Sequence, residues 1–298
     1  MSYLSLLEYL NNNRIEYCTE VDASQLVSIK IGGNVSLAVY PRSILELVNI
    51  VERLRGQRYF ILGNGTNCYF SSNGYDGVVV VTKNINSIKV QNDLIYADCG
   101  ASLCTLCNIA LKNSLSGLEF AYGIPATVGG AVYMNASAYG STISNLILRS
   151  TAYDLVNNKI VVLNQKEHLF DVKNSVFRMG RLVHLNSTLQ LKQSGKAEIF
   201  EKMQELSQKR RSKQPLNVPS AGCVFVNPKD CYSARLIEEC GLKGYRVGGA
   251  EISTKHAGFI VNMGNATSCD INALIEAVKK RVFEKFNVKL NQEIIYVE

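Results

Sequence analysis

Residues 117–140 carry the feature that most limits what this chain can fold into. At its centre, Gly123-Ile124-Pro125-Ala126-Thr127-Val128-Gly129-Gly130-Ala131 and the following Met134-Asn135-Ala136 contain no charged side chain. A loop facing water is rarely built this way. Pro125 fixes one φ angle, and the glycine pair lets the main chain approach another group closely. Such a stretch suits buried backbone lying against a flat, apolar ligand with a pyrophosphate nearby. A tight crossing inside the core is the structural alternative.

A second loop, Gly63-Asn64-Gly65-Thr66-Asn67, follows the apolar segment 59–62. Closely spaced glycines let backbone N–H groups converge on an anion, and Thr66 and Asn67 add side-chain donors. No third glycine and no helix start follow, so the loop is not a dinucleotide-binding fingerprint, and no Gly-Lys-Ser/Thr follows to make a Walker loop. By itself it reads more readily as an ordinary strand-to-strand turn.

Short apolar or β-branched segments bounded by turn residues predict strands at 37–40, 59–62, 77–82, 87–90 and 94–97, with a helix at 45–54. A second helix spans 102–113, with Ser102 as its cap and Leu103, Leu106, Ile109 and Ala110 on one face. Strands follow at 146–155, 159–163 and 182–191, with Asn157-Asn158 as a turn. The character changes near Ser194. A helix at 197–211, a loop at 214–220, a helix at 233–239, a long helix at 270–286 capped by Asp270 and a last strand at 294–297 complete an α+β pattern. The long helix has one apolar stripe, Ile271, Leu274, Ile275, Val278 and Val282. With 298 residues, 47% of them hydrophobic, the chain buries a sizeable core, and the expected division is 1–195 and 196–298.

Nine scattered cysteines do not form an even framework, so reduced thiols in a cytoplasm are expected. No apolar run reaches the roughly 18 residues of a membrane span. Residues 1–13 lack a basic start and a cleavage site and read as a short amphipathic helix. A net charge of +7 suits anionic small ligands, and no basic stripe with interleaved aromatics points to nucleic acid. The three histidines, His168, His184 and His256, join no cysteine in zinc-site spacing, so no metal is expected.

The run Gly117-Leu118-Glu119 through Gly123-Ile124-Pro125, Thr127-Val128-Gly129-Gly130-Ala131, Met134-Asn135-Ala136 and Ala138-Tyr139-Gly140 closely resembles the UDP-N-acetylenolpyruvoylglucosamine reductase family. Further matches follow in order: Ile31-Gly32-Gly33; Gly63 to Asn67; Ser220-Ala221-Gly222-Cys223-Val224-Phe225 with Asn227-Pro228; Gly241-Leu242-Lys243-Gly244; Gly248-Gly249-Ala250; and Ser253, Lys255-His256-Ala257, Phe259 and Asn262. The resemblance implies a vanillyl-alcohol-oxidase-type FAD-binding domain of two α+β subdomains, plus a C-terminal α+β substrate-binding domain. It implies FAD as cofactor and NADPH as co-substrate. It also implies reduction of UDP-N-acetylglucosamine enolpyruvate to UDP-N-acetylmuramate in peptidoglycan precursor synthesis, by a cytoplasmic monomer that needs neither membrane nor nucleic acid. The short interval from Lys173 to Lys213 leaves no room for a substrate-covering tyrosine loop and fits the shorter subclass.

By the same resemblance, Gly63, Asn64, Gly65, Thr66, Asn67, Gly123, Ile124, Pro125, Thr127, Val128, Gly129, Gly130, Asn135 and Ala136 hold the flavin. Ala126 and Ser137 replace family glycines. Lys213, Asn227 and Tyr139 bind substrate. Cys223 stands where the family usually has the serine that protonates the carbanion-like intermediate; an ordinary thiol titrates near pH 8.5, so it carries a proton at neutral pH and is a stronger acid than an alcohol. Glu293 matches the C-terminal catalytic glutamate. In Phe170-Asp171-Val172-Lys173-Asn174-Ser175, Val172 and Lys173 replace a tyrosine and the arginine that stabilises the enolate-like intermediate. Lysine keeps the charge without the bidentate fork, and Arg178 is the other candidate. His256 is expected to be structural.

Three other readings stay open. The chain could be an FAD oxidoreductase of another substrate, or a flavoprotein of the same fold with low or no activity. Cys99, Cys104 and Cys107 have the spacing of a plant-type iron–sulfur site, although Cys104 and Cys107 fall on the helix expected at 102–113, where thiolates cannot converge.

Overall fold

A computed structural model describes residues 3–298; Met1 and Ser2, the start of the expected N-terminal helix, lie outside the described residues. The apolar periodicities become buried helix faces. Helix α1 (Leu4–Asn12) buries Leu6 and Leu10. Helix α2 (Ile44–Arg53) buries Leu47, Ile50 and Val51 and is capped by Ser43, whose Oγ accepts the Glu46 N–H. Helix α3 (Leu103–Lys112) starts after Ser102, as expected, but that hydroxyl makes no capping hydrogen bond.

Helix α4 (Val128–Tyr133) lies inside the run that reads as loop in the sequence. Two glycines in its first turn cost helix propensity, about 1 kcal/mol each against alanine. Tertiary bonds override that cost. The Thr127 Oγ1 accepts the Gly130 N–H at 3.2 Å, and the Val128 and Gly129 N–H groups donate to the carbonyls of Ala101 and Cys99, each at 2.8 Å.

Helix α5 spans Lys196–Lys213 and α6 spans Ser233–Glu239. Helix α7 (Ser268–Phe286) buries the predicted stripe, Ile271, Leu274, Ile275, Val278 and Val282. Its cap is Thr267 rather than Asp270. Asp270 is the third residue of a capping box, its carboxylate accepting the Thr267 N–H while its own N–H donates to the Thr267 hydroxyl. Either residue suits a cap, and only backbone geometry separates them. Strands at Glu16–Asp22, Ser220–Cys223, Ala250–Ile252 and Phe259–Asn262 were not legible, because they are short or lack alternation.

The chain forms two compact units. The first comprises residues up to Cys18, Leu37–Asn64 and Gly77–Lys209; the second comprises Thr19–Ser36, Gly65–Asp76 and Arg210–Glu298. The sequence division at 195/196 differs, and burial explains why. Ile199, Met203 and Leu206 of α5 enter the core of the first unit, so the helix stays with it as far as Lys209. In the second unit, Cys68–Phe70 pairs in parallel with Ile295–Val297, and the Ser28 Oγ donates to the Ser220 carbonyl at 2.6 Å.

The first unit has two cores. One packs α1 and α2 on a four-stranded sheet, in which Tyr59–Leu62 runs parallel to Tyr75–Val81. The other packs α3, α4 and α5 on a five-stranded antiparallel sheet ordered Lys159–Asn164, Ile147–Asp154, Leu182–Gln190, Leu94–Asp98, Ile88–Gln91. The second unit packs α6 and α7 beside the sheet Ser220–Cys223, Phe259–Asn262, Ala250–Ile252, Arg246–Val247. This is the expected α+β architecture. No helix among the described residues is long and apolar enough to cross a membrane.

Candidate active site

The two loops singled out in the sequence meet in the first unit. The Asn64 amide donates to the Pro125 carbonyl at 2.7 Å. Gly123 and Pro125 are exposed, Ile124, Gly129, Gly130 and Ala136 half-buried, and Thr127, Val128 and Asn135 buried. Gly129 has no room for a side chain: a Cβ would sit 2.9 Å from the Cys99 carbonyl oxygen and 3.3 Å from His184 Nδ1. Asn135 closes the end of α4. Its amide donates to the Asp171 carbonyl at 3.0 Å and its Oδ1 accepts the Ser144 N–H at 3.3 Å. The stretch carries no charged side chain, and these bonds hold its main chain in place, which suits a broad, flat cofactor laid against it. These residues fit FAD.

The Asn135 bond also ties α4 to the turn holding Lys173, whose backbone is left-handed with φ 54°. The Arg178 Nη1 donates to the Lys173 carbonyl at 2.7 Å, and its guanidinium lies 5.8 Å from the Tyr133 ring centroid. Both candidate cations therefore belong to one turn against α4. Tyr139 is exposed, and its hydroxyl donates to the Leu206 carbonyl at 3.2 Å.

Cys223 and Glu293, seventy positions apart, both lie in the second unit, where a main-chain bond joins Glu293 to the residue after Cys223. The Glu293 N–H donates to the Val224 carbonyl at 2.7 Å, and the Glu293 carbonyl accepts the Asn67 amide at 3.3 Å. Gly222, with φ 79°, adopts a conformation that L side chains rarely take. It falls where the pairing of Ser220–Cys223 with Phe259–Asn262 shifts register, so Cys223 is re-aimed just after the irregularity. Thr66 joins the same group, its carbonyl 3.9 Å from where a Gly222 Cβ would stand. Gly65, Thr66 and Asn67 thus lie in the compact unit that holds Cys223 and Glu293.

An open cleft of about 750 Å³ is walled by Cys223, Asn227, Lys213, Ser212, Tyr232, Arg235, Lys255 and His256, among others. Three of the expected site residues, Cys223, Asn227 and Lys213, share it. Asn227 Oδ1 accepts the Ser233 N–H and hydroxyl at 3.0 and 3.1 Å, fixing the start of α6. The Lys255 Nζ donates to the Arg211 carbonyl at 2.7 Å. Among the described residues no carboxylate pairs with Lys213, whereas Arg235 is paired with Glu239 at 2.6 Å. His256 Nδ1 accepts the Gly258 N–H at 3.1 Å and the ring packs edge-on against Phe259. Burial, with nearby lysines, holds its pKa below the usual imidazole value. Sequence reasoning missed Tyr232 and Arg235 as cleft residues, because only the packing of α6 brings them there. Lys255 and His256 had a signal, since both lie in a motif already noted.

The iron–sulfur spacing resolves into ordinary packing. Cys104 and Cys107 both lie on α3, and the Cys107 thiol donates to the Leu118 carbonyl at 3.3 Å. Burial pushes the Cys99 thiol up to about 12 and that of Cys107 upward as well, the reverse of what thiolate ligation requires.

Comparison with known proteins shows the family. An FAD binding domain model matches residues 35–163, so the class defined by fold and site is a flavoprotein with an FAD binding domain and a separate C-terminal domain. Residues 214–297 match the C-terminal domain of UDP-N-acetylenolpyruvoylglucosamine reductase. A reductase of that name from Caldanaerobacter subterraneus is 44% identical over 269 residues, covering 90% of this chain and 89% of the relative. One from Caldicellulosiruptor bescii is 41% identical over 293 residues, covering 97% and 93%. The crystal structure of the Thermus caldophilus enzyme superposes with a TM-score of 0.80 at 30% identity, over 96% of this chain and 99% of that one. The chain belongs to the UDP-N-acetylenolpyruvoylglucosamine reductase family.

Proposed function

We propose that the chain reduces UDP-N-acetylglucosamine enolpyruvate to UDP-N-acetylmuramate, with NADPH as the reductant, in peptidoglycan precursor synthesis. FAD, when bound, supplies the two-electron relay from NADPH to the enolpyruvyl double bond. Gly63, Asn64, Gly65, Thr66, Asn67 and the residues from Gly123 to Ala136 hold it. Cys223 Sγ delivers the proton to the carbon next to the one that receives hydride, and regains it from water in the open cleft. Glu293 faces the substrate carboxylate as negative charge develops. The turn at Lys173 and Arg178 supplies the cation for that charge. Lys213 and Asn227 take the substrate's phosphate-bearing end, and Tyr139 contacts the substrate. The enzyme works as a cytoplasmic monomer, without membrane or nucleic acid.

The sharing of one open cleft by Cys223, Asn227 and Lys213 supports this reading, since it sets a thiol, an amide and a cation around the same space. Rapid mixing of Cys223→Ala tests it. NADPH reduces the bound flavin at the wild-type rate, and reoxidation by the sugar substrate slows by about 10²- to 10⁴-fold, the usual range for a lost general acid. Normal reoxidation would place the acid elsewhere.

A further inference from the structure

Beneath the α4 turn runs a buried chain of four polar side chains that the proposed chemistry leaves unused. His168 Nδ1 lies 2.7 Å from the Asn164 carbonyl, and its Nε2 lies 2.7 Å from Ser150 Oγ. Ser150 Oγ and Ser187 Oγ are 2.7 Å apart, and Ser187 Oγ is 2.7 Å from His184 Nε2. His184 and Ser187 reach each other because the pairing of their strand with Ile147–Asp154 shifts register between Thr151 and Ala152. All four residues are buried, and burial lowers the pKa of both imidazoles, that of His184 to about 3. Both rings are therefore neutral at physiological pH.

Neutral rings and single hydroxyl protons leave one way to fill the chain. A carbonyl only accepts, so His168 Nδ1 carries the proton and its Nε2 accepts from Ser150. Ser150, having donated, accepts from Ser187. Ser187 in turn accepts from His184 Nε2–H. His184 Nδ1 is then a bare lone pair, and it has no hydrogen-bond partner among the described residues. It faces the site where Gly129 donates to the Cys99 carbonyl, since a Cβ on Gly129 would lie 2.9 Å from that oxygen and 3.3 Å from Nδ1.

We infer that this chain is a tautomer lock: by holding His184 in its Nε2–H form, it keeps a second N–H out of the space beside the Cys99 carbonyl on which Gly129, and with it the FAD-binding turn, is anchored. His184 is a positioning residue, and the Asn164 carbonyl, four hydrogen bonds away, sets its state. The consequence for cofactor rests on the FAD reading of this turn; the lock does not.

Histidine-selective ¹⁵N NMR of the FAD-free protein, with FAD titrations of the same samples, tests both parts. His184→Phe assigns the signals. In the wild type His184 shows the Nε2–H tautomer and His168 the Nδ1–H tautomer. In Ser150→Ala, Ser187 is freed to donate to His184, the Nε2–H signal gives way to a mixture, and FAD binds about tenfold more weakly, the size of one misplaced hydrogen bond. Ser187→Ala, which breaks the chain at another link, shifts the tautomer too. An Nδ1–H form in the wild type, or an unmoved tautomer in both variants, overturns the lock. A shifted tautomer with unchanged FAD affinity overturns the positioning role. Failure of the wild type to bind FAD would defeat the FAD reading, while the imidazole signals still decide the lock.

Discussion

The turn around α4 and the cleft around Cys223 are built from opposite materials. In the turn, the N–H groups of Val128, Gly129 and Gly130 are all used internally, and the side chains are small. In the cleft, a thiol, three cations and an imidazole stand in an open wall. A cofactor kept through many turnovers is matched by rigid main chain. On the proposed reading, a substrate that is protonated and released is met by polar and charged side chains. The glycine run therefore specifies shape and says little about reaction, whereas the proposed reaction rests on side chains that the sequence places far apart.

If that contrast holds, substitutions in the cleft alter chemistry without loss of flavin, and substitutions in the turn do the reverse. The largest effect is the one described for Cys223→Ala. Next come the cations. Whichever of Lys173→Ala and Arg178→Ala removes the group facing the developing charge lowers kcat by an amount equivalent to about 2.7–4 kcal/mol. The other variant stays near wild type in steady-state assays, and equal small effects from both would remove this turn from the mechanism. Gly129→Val forces side-chain atoms onto the Cys99 carbonyl and His184. It should destabilise the first unit by about 1–3 kcal/mol and release flavin, read by thermal unfolding and by the flavin retained on purification.

The smallest effect lies far from both sites. Thr267→Ala removes the hydroxyl that caps α7 and costs about 1 kcal/mol in urea unfolding. The backbone N–H of Thr267 remains, and with that of Gly249 it holds the Asp270 carboxyl below its usual pKa. A lowered folded pKa means this contribution is fully present above the unfolded value, about 3.9, and is lost as pH falls through the folded one. Asp270→Asn should flatten that acid limb of the stability curve.

Much of the fold was legible because periodicity reports burial. The α7 stripe and the segments at 59–62 and 94–97 followed from local pattern alone. What stayed hidden was set by contacts distant in sequence. Helix α4 exists because Ala101 and Cys99 accept its first N–H groups, and no local propensity foretells that. Thr66 and Asn67 read as cofactor loop, yet their packing against Gly222 and Glu293 follows from the parallel pairing of Cys68–Phe70 with the final strand. Cys223 and Glu293 were visible through resemblance, but the main-chain bond that joins Glu293 to the residue after Cys223 required the fold. Tyr232 and Arg235 gave no signal, since an exposed tyrosine and an ion-paired arginine on a short helix look like any surface.

The most direct test of the central claim is the purified wild-type protein itself. It should carry a yellow flavin spectrum and oxidise NADPH rapidly only when UDP-N-acetylglucosamine enolpyruvate is present. A colourless protein that takes up no FAD would contradict the account, as would a flavoprotein whose NADPH oxidation is indifferent to that sugar.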